Sequence, residues 1–127
     1  MNGYCVIPSG VSLLISPDDN YCTTGDHPGM GYTELKKFAM ESLETDTKSI
    51  AKLDGIVLSN LLETNRFQSG LFDLHPPGES PGKAVSDGVF LMLKPLVPGK
   101  HELNLGASND DPIEPFAYNV TYHIIQK

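Results

Sequence analysis

Tryptophan is absent from these 127 residues, lysine and arginine together number only nine, and no apolar run approaches the length of a membrane span. Each shortage excludes something. Without clustered positive charge the chain lacks the means to neutralise phosphates, so neither nucleic acid nor an anionic lipid surface is expected as a partner. Apolar runs such as Leu13–Ile15 and Val89–Leu93 fall far short of the roughly 20 residues that cross a bilayer as a helix. No membrane insertion is therefore expected. The opening Met1-Asn2-Gly3-Tyr4 has neither the basic start nor the apolar stretch of a secretory leader, so an exported form of this chain is expected to be mature or N-terminally truncated.

What is present describes an ordinary soluble domain. The composition is 39% hydrophobic and 20% charged, and the net charge of −7 is spread along the chain, where it favours solubility. The length suits a single domain covering residues 1–127, with enough chain to bury a core. Cys5 and Cys22 are the only cysteines. Two readings stand for them: buried small side chains, or a disulfide whose loop closure stabilises by about 3 kcal/mol.

Ten prolines and twelve glycines cut the chain into short segments, a punctuation that favours strands and turns. Val11–Ile15 reads as a strand that stops at Pro17-Asp18-Asp19-Asn20, with residues 17–31 as an irregular loop. One helix is expected around residues 33–45, with Thr33 as N-cap and Leu35, Phe38, Ala39 and Leu43 at helical spacing. Ser49–Leu53, Asp54-Gly55 and Ile56–Leu58 form a hairpin pattern, because Asp-Gly supplies the positive φ angles of a two-residue turn. Arg66–Leu74 reads as a strand of mixed pattern, and the Pro- and Gly-rich run from Pro76 to Asp87 as a long surface loop. Val89–Leu93 is apolar throughout, His101–Leu105 alternates, and Phe116, Tyr118, Val120, Tyr122 and Ile124 share one face of the last strand. The expected class is mainly β: an antiparallel β-sandwich, jelly-roll or immunoglobulin-like, with one short α-helix.

Two segments resemble a group of uncharacterised secreted or surface-anchored proteins of bacteria and archaea. Cys5-Val6-Ile7-Pro8-Ser9-Gly10 is similar to the C-x-V/I-P-x-G opening of that group, and Cys22 to its second cysteine. Asp87-Gly88 through Pro95-Leu96-Val97-Pro98-Gly99-Lys100-His101, ending in Val120-Thr121-Tyr122-His123, resembles its C-terminal element, and Leu53-Asp54-Gly55 recurs there too. The resemblance implies export to the extracellular space, periplasm or cell surface, a Cys5–Cys22 disulfide and a β-sandwich. It implies no activity. The leader and Trp-rich segment that precede the first cysteine in that group are not in this chain.

The residues with chemical potential are few. His101 and His123 fall on opposite faces by strand alternation, so His101 is expected to serve structure by bonding to backbone, and no two histidines have a local metal-ligand spacing. Asp18, Asp19, Asp110, Asp111 and Glu114 are weak Ca²⁺ candidates, since hard cations favour loops rich in oxygen, although turn propensity explains both runs as well. No cofactor is otherwise expected. Tyr21, Tyr32 and His75 are weak ligand-binding candidates, and no catalytic residue stands out: there is no G-x-S-x-G elbow. The expectation is a non-catalytic extracytoplasmic module with a binding or structural role, taking an unknown ligand or envelope partner or forming a homo-oligomer. The alternative is a jelly-roll-type hydrolase or metal-dependent enzyme using the loops around residues 75–87 and 108–115. A dry, Leu-lined interior favours the module, and a pocket with two titratable side chains in hydrogen-bonding reach favours the enzyme.

Overall fold

A computed structural model describes residues 1–44, 46–58, 64–79, 81–113 and 115–127. Among these described residues nine strands and one helix follow in the order β1 (Asn2–Ile7), β2 (Leu13–Thr23), α1 (Tyr32–Glu44), β3 (Asp46–Leu53), β4 (Ile56–Leu58), β5 (Arg66–Gln68), β6 (Phe72–Leu74), β7 (Gly82–Leu93), β8 (Gly99–Asn109) and β9 (Ala117–Gln126). Hydrogen bonding gathers them into two sheets. One has the order β1-β9-β8-β3-β4; the other has the order β2-β7-β5, with β6 also pairing β7. All pairs are antiparallel except β1 with β9. The protein is a β-sandwich. With β2, β7 and β5 in the places of strands B, E and D, and β9, β8, β3 and β4 in those of G, F, C and C′, the order is that of an immunoglobulin-like sandwich.

The hairpin forms as its sequence requires. Asp54 and Gly55 take φ of 51° and 79°, and Leu53 pairs with Ile56 across the two-residue turn. The helix also forms, starting slightly earlier than expected. Gly31, not Thr33, takes the cap position, its carbonyl accepting the Leu35 N–H. Leu35, Ala39 and Leu43 make the buried stripe, whereas Phe38 is partly exposed and rests on His27 with ring centres 4.3 Å apart.

Three boundaries differ from those suggested by turn propensity. Residues 17–23, read as loop, continue β2 after a bulge between Ile15 and Asp18, where Pro17 sits. Residues 82–87, read as loop, belong to β7. Arg66–Leu74 is two short strands, both on β7 and interrupted at Ser69–Leu71. In each case β7 decides. It is hydrogen-bonded along both edges, and that ladder outweighs the local preference of Pro, Asp and Gly for turns. Gly88 suits its central position because a Cβ there would stand 2.6 Å from Asp19 Cβ and 2.8 Å from the Phe90 ring.

The apolar interior has two parts. The larger, between the sheets, contains Ile15, Ala51, Val89, Leu103, Leu105 and Ile124. The smaller lies under the helix, where Leu35 and Ala39 meet Cys22 and Val85. On β7 the inward positions run Val85, Asp87, Val89, so a buried carboxylate separates the two clusters.

Candidate functional site

The expected Cys5–Cys22 disulfide does not form: both thiols are free. Their strands explain it. Cys5 lies on β1, opposite Ile124, and packs against the larger cluster, while Cys22 lies on β2, in the other sheet, inside the cluster under the helix. Burial, aided by the nearby Asp26 charge, pushes the Cys22 thiol pKa up, so this sulfur is a poor nucleophile.

The acidic candidates divide in the same way. Asp18 and Asp19 are strand residues, Asp18 buried and Asp19 exposed on opposite faces of β2. Asn109 and Asp111 build the loop after β8: Asn109 Oδ1 accepts the Asp111 and Phe116 N–H groups, and Asp111 Oδ1 accepts that of Ile113. Asp110 is exposed beside them, and Glu114 lies outside the described residues. Among the described residues no three His, Cys, Asp or Glu side chains are placed to share a metal ion.

His101 has the structural role expected of it and a partner the sequence did not suggest. Its Nε2 donates to the Val97 carbonyl at 2.7 Å and its Nδ1 to Asp54 Oδ2 at 2.7 Å, while Asp54 Oδ1 accepts the Glu102 N–H. Two acceptors favour the doubly protonated ring, so hydrogen bonding to Asp54 and then to Val97 raises the His101 pKa, and the same bond lowers that of Asp54. This contact joins Leu53-Asp54-Gly55 to Pro98-Gly99-Lys100-His101. His123 makes no bond to this pair and stacks on Tyr4 with ring centres 4.9 Å apart.

A second polar group has no motif in the sequence to announce it. Arg66, the only arginine, donates to Asp87 through Nε and Nη2, while Nη2 also reaches the Met40 carbonyl of α1 and Nη1 the Glu44 carboxylate at 3.5 Å. Gln68 completes the carboxylate at 2.9 Å, and Asp87 is wholly buried. The group ties helix to sheet and is saturated by its own members. A lone arginine in a strand of mixed pattern was the available signal, but Asp87 looked like a turn residue before Gly88.

A hollow of about 420 Å³ beside β1 is lined by Tyr4, Cys5, Val6, Lys100, His101 and His123, and two further cavities bear on the candidates. One, of about 340 Å³, lies among Tyr21, Thr23, Asp26, Leu74, Pro76 and Glu79 and so brings Tyr21 near the chain either side of His75. Tyr32 is not among its lining residues; Lys36 sits over its ring. Asp26 is already engaged, with Thr23 Oγ1 donating to its carboxylate at 3.0 Å.

The other is an apolar cleft of about 260 Å³ that opens into the larger cluster. Leu13, Leu14, Ile15 and Ser16 of β2 form one wall, Cys5 and Ile7 of β1 another, and Leu103, Leu105, Tyr122 and Ile124 the floor. It exists because five strand columns face three: beyond β2 the inner faces of β1 and β9 are left without a covering strand. Cys5, Ile7, Leu13 and Tyr122 are consequently only partly buried.

Compared with protein-family models, curated proteins and solved structures, the chain gives no match.

Proposed function

We propose that this chain is a non-catalytic β-sandwich module of the cell envelope, which holds an apolar group of a ligand or partner in the cleft between β1 and β2. The observation that carries this reading is the cleft itself. Its lining is aliphatic apart from Cys5, Ser16 and Tyr122, and it leads into the main core rather than to a cluster of titratable groups. Apolar surface left open at a core mouth is stabilised when something covers it, at about 25 cal/mol per Å². The extracytoplasmic placement draws its support from the similarity of the Cys5–Gly10 and Asp87–His101 segments to secreted and surface-anchored proteins. The unbonded cysteines add nothing to it.

Cys5 offers a direct test, since it lines the cleft and Cys22 is buried. Octanol is expected to slow alkylation of Cys5 by iodoacetamide, with Cys22 slow throughout. An alkylation rate indifferent to saturating octanol would remove the cleft from consideration. Recovery of the native chain from the cytosol of its own cells would remove the envelope placement.

A second reading, a hydrolase, draws on the loop cavity, where Asp26 and Glu79 face one space beside Tyr21. Two carboxylates in one cavity are a common arrangement for acid–base chemistry. Asp26→Asn and Glu79→Gln would separate the readings, abolishing any hydrolysis while leaving octanol protection of Cys5 intact.

A further inference from the structure

The longest edge in the smaller sheet is β2, eleven residues paired only with β7. Its backbone geometry can be read from β7. Ser86 and Phe90 turn their backbone groups away from β2: Ser69 N–H donates to the Ser86 carbonyl, and Phe90 N–H to that of Asn65. By antiparallel alternation, the odd residues of β7 bond to β2, which fixes Leu13, Ile15, Asp18, Asn20 and Cys22 as the bonded positions. Leu14, Asp19 and Tyr21 then present their N–H and C=O groups to the free edge. Among the described residues no strand pairs with that edge. Pro17 and the bulge beside it divide it, a feature that discourages indiscriminate pairing.

The free edge and the apolar cleft lie at one place, since Leu13–Ser16 belong to both. We infer that the occupant of the cleft is an extended segment of another protein, added as a strand to the free edge of β2, with alternate apolar side chains entering the cleft. This rests on the cleft reading above and names its partner. Strand addition needs an unpaired edge for affinity and pockets for alternate side chains for specificity, and both are present. The position is the one next to B that strand A fills in the immunoglobulin arrangement. Size agrees: about 260 Å³ is below the roughly 300–1,000 Å³ of typical small-molecule sites, yet it admits a pair of aliphatic side chains.

Other edges do not serve. A strand added to β1 would extend the larger sheet sideways and leave the cleft open, while β4 has three residues and the β5–β6 edge is interrupted. Charge shapes the outward face of the partner. The exposed Asp19 and a net charge of −7 favour Lys or Arg at its solvent-facing positions, where a cross-strand pair with Asp19 forms.

A nine-residue peptide alternating Val and Leu with Lys and Thr, carrying one Trp, provides the test, because the protein has no Trp and all indole emission comes from the peptide. Its anisotropy is expected to rise on binding. Amide exchange at Leu14, Asp19 and Tyr21 is expected to slow by about tenfold or more, with Cys5 alkylation slowed as well. A peptide with Asp at the alternate apolar positions should do neither. Binding without protection of these three amides, protection at β1 instead, or no binding would overturn the inference. So would sedimentation showing that the protein alone dimerises with those amides already protected, since a second copy then takes the edge. If octanol shields Cys5 while the peptide does nothing, the cleft reading survives and the strand assignment falls; if neither acts, both fall.

Discussion

The two ends of β2 meet different fates. At its Cys22 end the inner face is covered by the chain's own helix, with Leu35 and Ala39 packed on Cys22 and Val85 and the Arg66–Asp87 group joining helix to sheet. At its Leu13 end the same face borders a cleft, and Leu13 is only partly buried. The difference teaches where stability and binding reside. Sites sealed by the chain itself carry folding free energy; an apolar site left open is available to something else.

Breaking the closed end is the sharpest way to examine this contrast. Arg66→Ala leaves Asp87 buried without its charge partner and should cost about 3–5 kcal/mol in urea unfolding, whereas an Arg66→Met, Asp87→Leu pair should recover much of that loss. If Arg66→Ala unfolds like the parent, the polar group does not anchor the helix. Leu35→Ala, which empties a fully buried site, should cost about 2–5 kcal/mol in the same assay.

The Asp54–His101 contact should have a smaller effect that depends on pH. The folded-state pKa of His101 is raised above its ordinary 6.5, so its contribution is complete below about 6.5 and disappears as pH rises through the raised value. The folded-state pKa of Asp54 is lowered below its ordinary 3.8, so its contribution is present above 3.8 and disappears as pH falls through the lowered value. The contact therefore stabilises most between pH 3.8 and 6.5. In thermal unfolding carried from below pH 3.8 to above pH 6.5, His101→Asn should remove the loss of stability at both ends of that window; an unchanged profile would show that the contact contributes nothing. At the open end the smallest effect is expected: Leu14→Ser should shift stability by less than about 0.5 kcal/mol, and a large loss there would mean that Leu14 supports the core.

Much of the architecture was legible before any coordinates. The Asp54-Gly55 hairpin, the helix stripe and the alternation of the last two strands depend on local rules, namely positive φ at a two-residue turn and the periods of helix and strand. The places that misled share one cause. Pro17-Asp18-Asp19-Asn20 and Gly82–Asp87 contain turn-forming residues, yet both are strand because pairing with or within β7 supplies hydrogen bonds that propensity does not count. The candidate site was barely legible. Tyr21 and the chain around His75 did converge on one cavity, but the cleft is made of ordinary Leu and Ile side chains that no motif distinguishes from core.

By itself the sequence determined the class of fold, the hairpin register and the inward face of the last two strands, because side-chain periodicity and backbone φ preference act over a few residues. Tertiary structure alone decided that Cys5 and Cys22 remain apart, that Arg66 finds Asp87, and that the strand column beside β2 is left unfilled. Those outcomes depend on how many columns each sheet has and which residues meet across them, and such long-range pairings leave no local pattern in the chain.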